Sequence, residues 1–148
     1  MTKISKIISG GQTGADQGGL EAGKELDLQT GGTAPMGYRT EEGAMPSLGL
    51  KYRLGEDSSY LYPPRTQRNV RNSDGTVIFG QLTSPGSKLT IRLCKDLKKP
   101  LIANPEKSDF LKWVEENNIK ILNVAGNRES KNPGLQRRVR EFLVEALR

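Results

Sequence analysis

The 148-residue sequence contains no histidine and one cysteine, Cys94. The lack of histidine excludes a Ser-His-Asp triad, an imidazole base and a His-liganded zinc site. A single cysteine also excludes an intrachain disulfide and a Cys-x-x-Cys metal motif, so we expect no metal bound directly by the protein. Any acid–base chemistry must use Asp, Glu, Lys, Tyr or a bound water. Cys94 lies among leucines in a helical pattern, which favours a buried apolar role over a nucleophilic one.

Long apolar runs are also lacking, and aromatic residues make up only 5% of the chain. No uninterrupted apolar stretch approaches the roughly 18 residues that a membrane-spanning helix needs. The N-terminal apolar stretch is too short for a secretory signal, so we expect a cytoplasmic protein without a membrane partner. The length and composition indicate one globular domain over residues 1–148.

The positive charge is unevenly distributed. The formal net charge is +6, and all of it comes from residues 76–148, because residues 1–75 are balanced. This predicts an anionic partner: a phosphorylated cofactor, a nucleotide or a nucleic acid. Nucleic acid is the weakest of these, since the tyrosines lie in the other half and single-strand binders interleave aromatic with basic residues. A solvated helix face is the alternative explanation for runs such as 137–140.

Short β-branched runs alternate with helical apolar stripes along the chain. Strands are predicted at 3–9, 76–79, 101–103 and 119–124, with a weaker one at 28–33. Helices are predicted to begin near Gly14, Ser87, Ser108 and Pro133. This alternation predicts an α/β fold with a mainly parallel sheet and helices on both faces.

Residues 34–70 interrupt the alternation and are predicted to form a long inserted loop rich in Tyr, Gly and Pro. All four tyrosines lie in this segment, whereas the phenylalanines lie in core elements. Two interpretations remain open. The tyrosines either contact a planar ligand or a second subunit, or they only hold the loop against the domain.

The strongest local motif is Ser9-Gly10-Gly11-Gln12-Thr13-Gly14-Ala15-Asp16, between a predicted strand and a predicted helix. Glycines let the backbone approach an anion, and a helix N-terminus supplies free N–H groups. We therefore expect Gly10, Gly11, Thr13 and Gly14 to contact a phosphate, with Gln12 beside them and Asp16 orienting a hydroxyl or amino group. The alternative is a tight turn with a cap. The motif is neither a P-loop nor a G-x-G-x-x-G fingerprint.

Three further motifs are candidates for the same site. The candidate residues are Asp74, Gly75 and Thr76; Gly86, Ser87, Lys88 and Thr90; and Gly126, Arg128 and Glu129. Their plainer explanations are an Asp-Gly turn, an N-cap and a surface ion pair. Strand-to-helix turns of a parallel sheet open on one edge, which predicts that these motifs converge. Arg65 ends the tyrosine-rich segment and is expected to cover the resulting cleft.

Together these motifs resemble the molybdenum cofactor carrier family. The resemblance rests on Ile8–Asp16, Arg65-Thr66 with Asn69-Val70, Asp74–Thr76, and Leu122–Gly126 with Arg128–Ser130. It implies a three-layer Rossmann-like fold shared with the phosphoribohydrolase and lysine-decarboxylase-like proteins. It also implies a homo-oligomer, a pocket for a phosphorylated pterin or nucleotide, and molybdoenzymes as clients. The chain departs from the family pattern at Lys88, near the second turn, and at Asn127, where proline is common.

The function expected from this resemblance is binding and transport of molybdenum cofactor, or of a nucleotide, without a chemical step. The first alternative is a nucleotide N-glycosidic hydrolase, with Glu129 or Asp16 handling the water and Arg128 stabilising the leaving phosphate. It is weakened because the Gly-Gly-x-Gly-Thr stretch of those enzymes is not intact. The second alternative is a nucleic-acid binder, prompted by the net charge of +6.

Overall fold

A computed structural model describes residues 3–148. Its central sheet contains β1 (Lys6–Ile8), β2 (Gln29–Gly31), β7 (Gly75–Phe79), β8 (Leu101–Ala103) and β9 (Ile121–Gly126). The helices are α1 (Ala15–Glu25), α2 (Ser47–Tyr52), α3 (Tyr62–Arg71), α4 (Pro85–Asp96), α5 (Lys107–Glu116) and α6 (Leu135–Leu147). Short strands between β2 and α3 are β3 (Thr33–Ala34), β4 (Arg39–Thr40), β5 (Gly43–Ala44) and β6 (Gly55–Glu56). Within the described residues, no helix is long and apolar enough to span a bilayer.

The five strands of the central sheet are all parallel, in the order β2-β1-β9-β7-β8. Helices α1, α5 and α6 pack together, and α3 packs against α4, which gives a helical layer on each face. Every residue of β7 is buried, as expected for a strand covered on both faces. The predicted three-layer α/β fold is therefore confirmed.

The strand order is that of a Rossmann sheet whose chain starts at a different point. When β9 is counted first and the count continues through β1, β2, β7 and β8, the order becomes 3-2-1-4-5. The last strand of the chain thus occupies the place of the first Rossmann strand, and the switch point lies between β9 and β7. Ligands of open α/β sheets bind at the carboxyl ends of the strands beside such a point.

Glycines in α1 allow the helix to approach the sheet and its neighbour α6 closely. A Cβ atom on Gly18 would lie 2.5 Å from the carbonyl oxygen of Gln136, and one on Gly19 would lie 2.7 Å from the Val124 Cβ. The main core surrounds this contact and includes Ile7, Val77, Phe110, Leu122 and Leu143. This packing fixes the loops at both ends of α1 relative to β9.

Residues 34–70 are more ordered than predicted, and the expectation of one long loop was wrong. The segment contains α2, a β3–β6 pair, a β4–β5 hairpin and most of α3. Pro63 and Pro64 mark the start of α3 and do not signal a loop, since proline fits the first turn of a helix. A small second core of Leu20, Leu48, Tyr52 and Leu54 attaches the segment to α1.

Two helix starts also differ from prediction. Helix α5 begins at Lys107, so Ser108 lies inside its first turn and is not its N-cap. Helix α6 begins after Gly134, whose φ of 86° is left-handed, so Pro133 lies in the preceding turn. Glycine adopts this conformation without a Cβ clash, which explains where the chain turns into α6.

Candidate ligand-binding cleft

A cleft of about 570 Å³ lies at the carboxyl ends of β1, β7 and β9, under helix α3. Its polar lining comes from four segments: Gly10, Gln12 and Asp16; Tyr62, Arg65, Thr66 and Asn69; Gln81, Ser84, Gly86 and Thr90; and Asn123, Gly126, Asn127, Arg128 and Lys131. The volume is in the usual range for small-molecule sites. The cleft sits at the switch point that the strand order defines.

Asp16 and Arg65 form an ion pair in the wall of the cleft. The Arg65 Nη1 lies 3.1 Å from the Asp16 Oδ2, and their side chains are 13% and 6% exposed. Burial raises the pKa of Asp16 above its ordinary value, while Arg65 and the backbone amides of Gln12 and Gly10 oppose that rise. The pair holds α3 over the start of α1, 49 residues away in sequence.

Arg65 can lie this close to the loop after β1 only because residue 10 is glycine. A Cβ atom on Gly10 would fall 1.6 Å from the Arg65 Nη1. The Arg65 guanidinium also lies over the ring of Tyr62, 5.4 Å from its centroid. Its buried Nε has no hydrogen-bond partner among residues 3–148. The site therefore contains an immobilised cation with unused hydrogen-bonding capacity.

The backbone amides of the Gly-rich loop are already occupied. Asp16 accepts from Gln12 and Gly10, and Ser9 Oγ accepts from Gly11 at 3.4 Å. The next three amides, those of Thr13, Gly14 and Ala15, donate to the Gln12 Oε1, the Gln136 Oε1 and the Asn127 carbonyl. The carboxylate of Asp16 thus occupies the position in which a phosphate was expected. Gly10 lines the cleft, but Gly11, Thr13 and Gly14 are not among the residues that do.

Glu41, at the tip of the β4–β5 hairpin, joins this loop to the loop after β9. Its carboxylate accepts hydrogen bonds from the Thr13 and Ser130 hydroxyls and from the Ser130 amide, and its Oε1 lies 4.0 Å from the Arg128 Nε. Burial opposes ionisation, but the bonds from Ser130 and Thr13 hold the pKa of Glu41 below its ordinary value. Glu41 therefore locks the inserted segment onto the base of the cleft.

Asn127 joins the two loops at the switch point. Its Oδ1 accepts from the Gln81 amide at 2.6 Å, and its Nδ2 donates to the Gln81 carbonyl at 3.0 Å and to the Ser84 Oγ at 3.4 Å. The amide side chain fixes the distance between the end of β9 and the start of α4.

The N-terminus of α4 faces the cleft with an unused donor. Pro85 has no N–H, and the Ser87 amide is capped by the Ser84 Oγ at 3.3 Å. The Gly86 amide has no acceptor within the described residues. Arg128 and Lys131 also line the cleft and contribute positive charge to it. A helix N-terminus with nearby cations attracts an oxyanion.

The sequence model of one family spans almost the entire chain, matching residues 7–147. The chain belongs to the circularly permutated YpsA SLOG family. The rotated strand order is the structural counterpart of that permutation. A crystal structure from Syntrophus aciditrophicus SB, named "putative molybdenum carrier protein", is also similar, with a TM-score of 0.91 and 33% identity. The match covers 99% of this chain and 97% of that one, and no curated protein matches. The family resemblance read from the motifs is confirmed.

In this member of the SLOG family, Asp74, Gly75 and Thr76 lie away from the cleft. They precede or begin β7, so they sit at the amino edge of the sheet. The Asp74 Oδ2 accepts from the amides of Lys120 and Ile121, at 3.0 and 2.8 Å. This position could have been predicted from the sequence, because residues that precede a parallel strand lie on the edge of the sheet opposite to the ligand.

Glu129 and Lys88 also differ from their expected positions. The Glu129 carboxylate accepts from the amides of Gly134 and Gln136, at 2.6 and 2.9 Å, and stabilises the turn into α6. It does not hold Arg128, whose partner is Glu41. Lys88 is exposed on α4 and Ser87 is buried beneath it, and neither lines the cleft. Thr90 lines the cleft while its hydroxyl donates to the Gly86 carbonyl at 3.1 Å.

Several lining residues are not among the site residues predicted from the sequence. Asn69 is buried and pairs through its side-chain amide with both backbone groups of Thr33, and Asn123 donates to the Thr76 Oγ1 at 3.1 Å. An asparagine inside an otherwise apolar strand is a readable signal for Asn123. Glu41 carried no such signal, since its partners lie 28 and 89 residues away.

The four tyrosines do not share one role: some have the position expected for a ligand or interface contact, and others hold the inserted segment against the domain. Tyr62 lines the cleft, with the guanidinium of Arg39 4.6 Å from its ring centroid. Tyr38 and Tyr52 pack in the second core, where the Tyr38 hydroxyl donates to the Leu54 carbonyl at 3.1 Å. Tyr60 is 58% exposed. Only one of the four therefore lines the cleft.

Proposed function

We propose that the protein binds a phosphorylated pterin or nucleotide-type ligand, molybdenum cofactor first among them, and carries it without a chemical step. The supporting observation is that the cleft lining carries two sets of polar groups, to which we assign the two ends of the ligand. The first set, called the α4 end, is the free Gly86 amide with Arg128 and Lys131, and the second set, called the ring end, is the buried Asp16–Arg65 pair. A ligand with a phosphate and a polar ring matches both ends.

We assign the phosphate to the α4 end and not to the Gly-rich loop. The loop amides are used within the protein, so they would have to lose a partner to bind an anion. The Gly86 amide and the side chains of Arg128 and Lys131 need no such exchange. Lys88 is one turn removed on the same helix end and adds longer-range attraction only.

The residues of the cleft are compatible with a metal that is bound by an organic cofactor and not directly by the protein. Within residues 3–148 no three His, Cys, Asp or Glu side chains are grouped to hold a metal ion. The thiol of Cys94 is buried, which raises its pKa above the ordinary value although Thr76 hydrogen-bonds it. The cleft therefore offers oxygen and nitrogen groups to the pterin and phosphate, and the dithiolene of the cofactor itself would hold the molybdenum.

One observation favours the hydrolase alternative, namely the raised pKa of Asp16 in a buried part of the cleft. The other proposed catalytic carboxylate, Glu129, is engaged by two amides at the start of α6. Asp16 is paired with Arg65, which suits a binding group better than a proton-transfer group. Any hydrolytic activity would depend on Asp16 and not on Glu129.

The proposed function is tested by titrating the full chain with molybdenum cofactor released from a molybdoenzyme under anaerobic conditions. Native mass spectrometry should show a 1:1 adduct per chain, and Arg128→Ala should reduce its occupancy. Free base released on incubation with nucleoside monophosphates would instead support the hydrolase. Binding of neither cofactor nor nucleotide would overturn the proposal.

We also propose that the protein self-associates through the segment 34–70. Among residues 3–148, four of the five exposed large apolar residues, Met36, Leu50, Tyr60 and Leu61, belong to this segment, and Leu50 is 92% exposed. Aromatic and large apolar side chains are enriched in the cores of interfaces. Light scattering should give a mass at least twice the 16.3 kDa of one chain. A monomeric mass would contradict this expectation.

A further inference from the structure

The Asp16–Arg65 pair places an acceptor and donors side by side on the ring end of the cleft. The Asp16 Oδ2 accepts from the Arg65 Nη1 at 3.1 Å and from the Gln12 amide at 3.2 Å. Within residues 3–148, neither the Nε nor the Nη2 of Arg65 has an acceptor. Buried donors without partners are uncommon, and in a cleft they indicate a group that a ligand completes.

The pair is held rigidly before any ligand arrives. The Ser9 hydroxyl donates to the Asp16 carbonyl at 2.9 Å, and Gly10 leaves the space that the guanidinium fills. The Arg65 guanidinium also lies over the ring of Tyr62. A pre-organised pair of this kind discriminates between ligands because it cannot rearrange to suit a wrong pattern.

We infer that the Asp16–Arg65 pair recognises the 2-amino-4-oxopyrimidine edge that guanine and pterins share, so that the cleft selects these rings over adenine. The inference rests on the proposed function and specifies the ring it accepts. That edge presents a carbonyl acceptor followed by two N–H donors. The carbonyl accepts from the Arg65 guanidinium, and the N–H groups donate to the acceptor positions of the Asp16 carboxylate that the Arg65, Gln12 and Gly10 donors leave free.

Adenine presents the opposite pattern. Its amino group would face the donors of Arg65, and its unprotonated ring nitrogen would face the carboxylate of Asp16. A donor would then face a donor at Arg65, and an acceptor would face an acceptor at Asp16. Both contacts would be buried, where unpaired polar groups are costly. Hypoxanthine keeps the carbonyl and one N–H but lacks the amino group, so it should be intermediate. A hydrogen bond to a charged group changes affinity by about 10- to 100-fold, which sets the expected scale.

The test is titration of the full chain with GMP, IMP and AMP, together with 6-hydroxymethylpterin, whose fluorescence reports its binding. GMP should bind about 10-fold more tightly than IMP and about 100-fold more tightly than AMP. The pterin should compete with GMP, because both carry the same ring edge. It has no phosphate, so it should gain no affinity from the α4 end, and this difference distinguishes the pterin from the nucleotide as the source of that edge. Equal affinities for GMP and AMP would overturn the inference and leave the proposed function standing. Failure of all four to bind would overturn both.

The variant Asp16→Asn tests the residue itself. Its carboxamide presents a donor where the carboxylate accepts, so the preference for GMP over AMP should fall to within about 3-fold. The matched control is Asp57→Asn. Asp57 is a buried acid outside the cleft, with its Oδ2 3.6 Å from the Arg68 Nε on the same helix as Arg65. An unchanged preference in Asp16→Asn would contradict the assignment. If this variant does not fold, the wild-type ligand series decides alone.

Discussion

Thr13 donates its hydroxyl hydrogen to the carboxylate of Glu41 and accepts one from the Glu129 amide at 3.1 Å. This places one threonine between the inserted segment and the loop after β9. The hydroxyl that the motif offered to a ligand is therefore used to assemble the base of the cleft. Glu41 has the corresponding role on the other side, since Ser130 also donates to it.

Replacing Glu41 with Gln should destabilise the fold in a pH-dependent way. The folded pKa lies below the ordinary value of 4.5, so the stabilisation is fully present above that pH and is lost as the pH falls through the lowered folded value. At pH 7 we expect Glu41→Gln to lower the free energy of unfolding by about 1.5–3 kcal/mol, the range for hydrogen bonds to a charged group. Urea denaturation at pH 7 and at pH 3 measures both effects.

The control for this prediction is Glu42→Gln at the neighbouring, exposed position. Its side chain has no hydrogen bond or ion pair within residues 3–148, so its stability should change by less than about 0.5 kcal/mol. If the two variants lose the same stability at pH 7, Glu41 does not act as a link between the loops.

Asn127→Ala should loosen the junction between β9 and α4. The substitution removes the bonds to the Gln81 backbone and to Ser84, and it leaves the Gln81 amide without its acceptor. We expect a loss of about 1–3 kcal/mol in unfolding free energy, measured by thermal or urea denaturation. Asn72→Ala is the control, because Asn72 is exposed and no hydrogen bond of its side chain occurs in the described chain. Equal stability of the two variants would contradict the role of Asn127.

The sequence predicted the central sheet well because each of its elements is marked locally. Strand β7 is bounded by Asp74-Gly75 and Gly80, and α4 begins with an N-cap serine followed by proline. The direction in which a side chain or amide of these turns points is not a local property. Thr13 and Gly14 face partners at Glu41 and Gln136, which are distant in sequence. The sequence therefore predicted that the turns after β1, β7 and β9 meet, but it wrongly grouped Asp74–Thr76 with them, and it did not show which groups remain free for a ligand.

Gly10→Ala and Gly14→Ala should have different effects although the two glycines lie in one motif. At Gly14 the φ is 81°, and a Cβ atom would lie 2.3 Å from the Asn127 carbonyl oxygen, so backbone would have to move. We expect a loss of about 3 kcal/mol or more in unfolding free energy. At Gly10 the obstacle is the end of the Arg65 side chain, which can swing away.

Gly10→Ala should therefore fold, with a loss of about 1 kcal/mol, but with the Arg65–Asp16 pair broken. Its GMP affinity and its preference for GMP over AMP should both fall. Gly86→Ala serves as the stability control, because a Cβ atom there meets nothing within 4 Å. Calorimetry of the three variants, with and without GMP, measures both their unfolding stability and their affinity for GMP. If Gly10→Ala and Gly14→Ala destabilise the protein equally, the prediction that Gly10→Ala displaces only the Arg65 side chain is wrong.

Arg128 and Glu129 are adjacent in sequence, yet their substitutions should separate binding from stability. Arg128 lines the cleft with its side chain 45% exposed, so Arg128→Ala should weaken GMP binding about 10-fold and reduce its salt dependence, with little change in stability. Arg137→Ala, at a 78% exposed arginine on α6, is the matched control for charge and should leave binding unchanged.

Glu129→Gln removes the charge that accepts from the Gly134 and Gln136 amides, so it should lower the free energy of unfolding by about 1–2 kcal/mol. Its GMP affinity should match that of the wild-type protein, because the carboxylate does not line the cleft. Titrations at two salt concentrations, urea denaturation and chromatography for free base provide the three measurements. Turnover of a nucleotide that disappears in Glu129→Gln would overturn the carrier proposal and assign Glu129 a catalytic role.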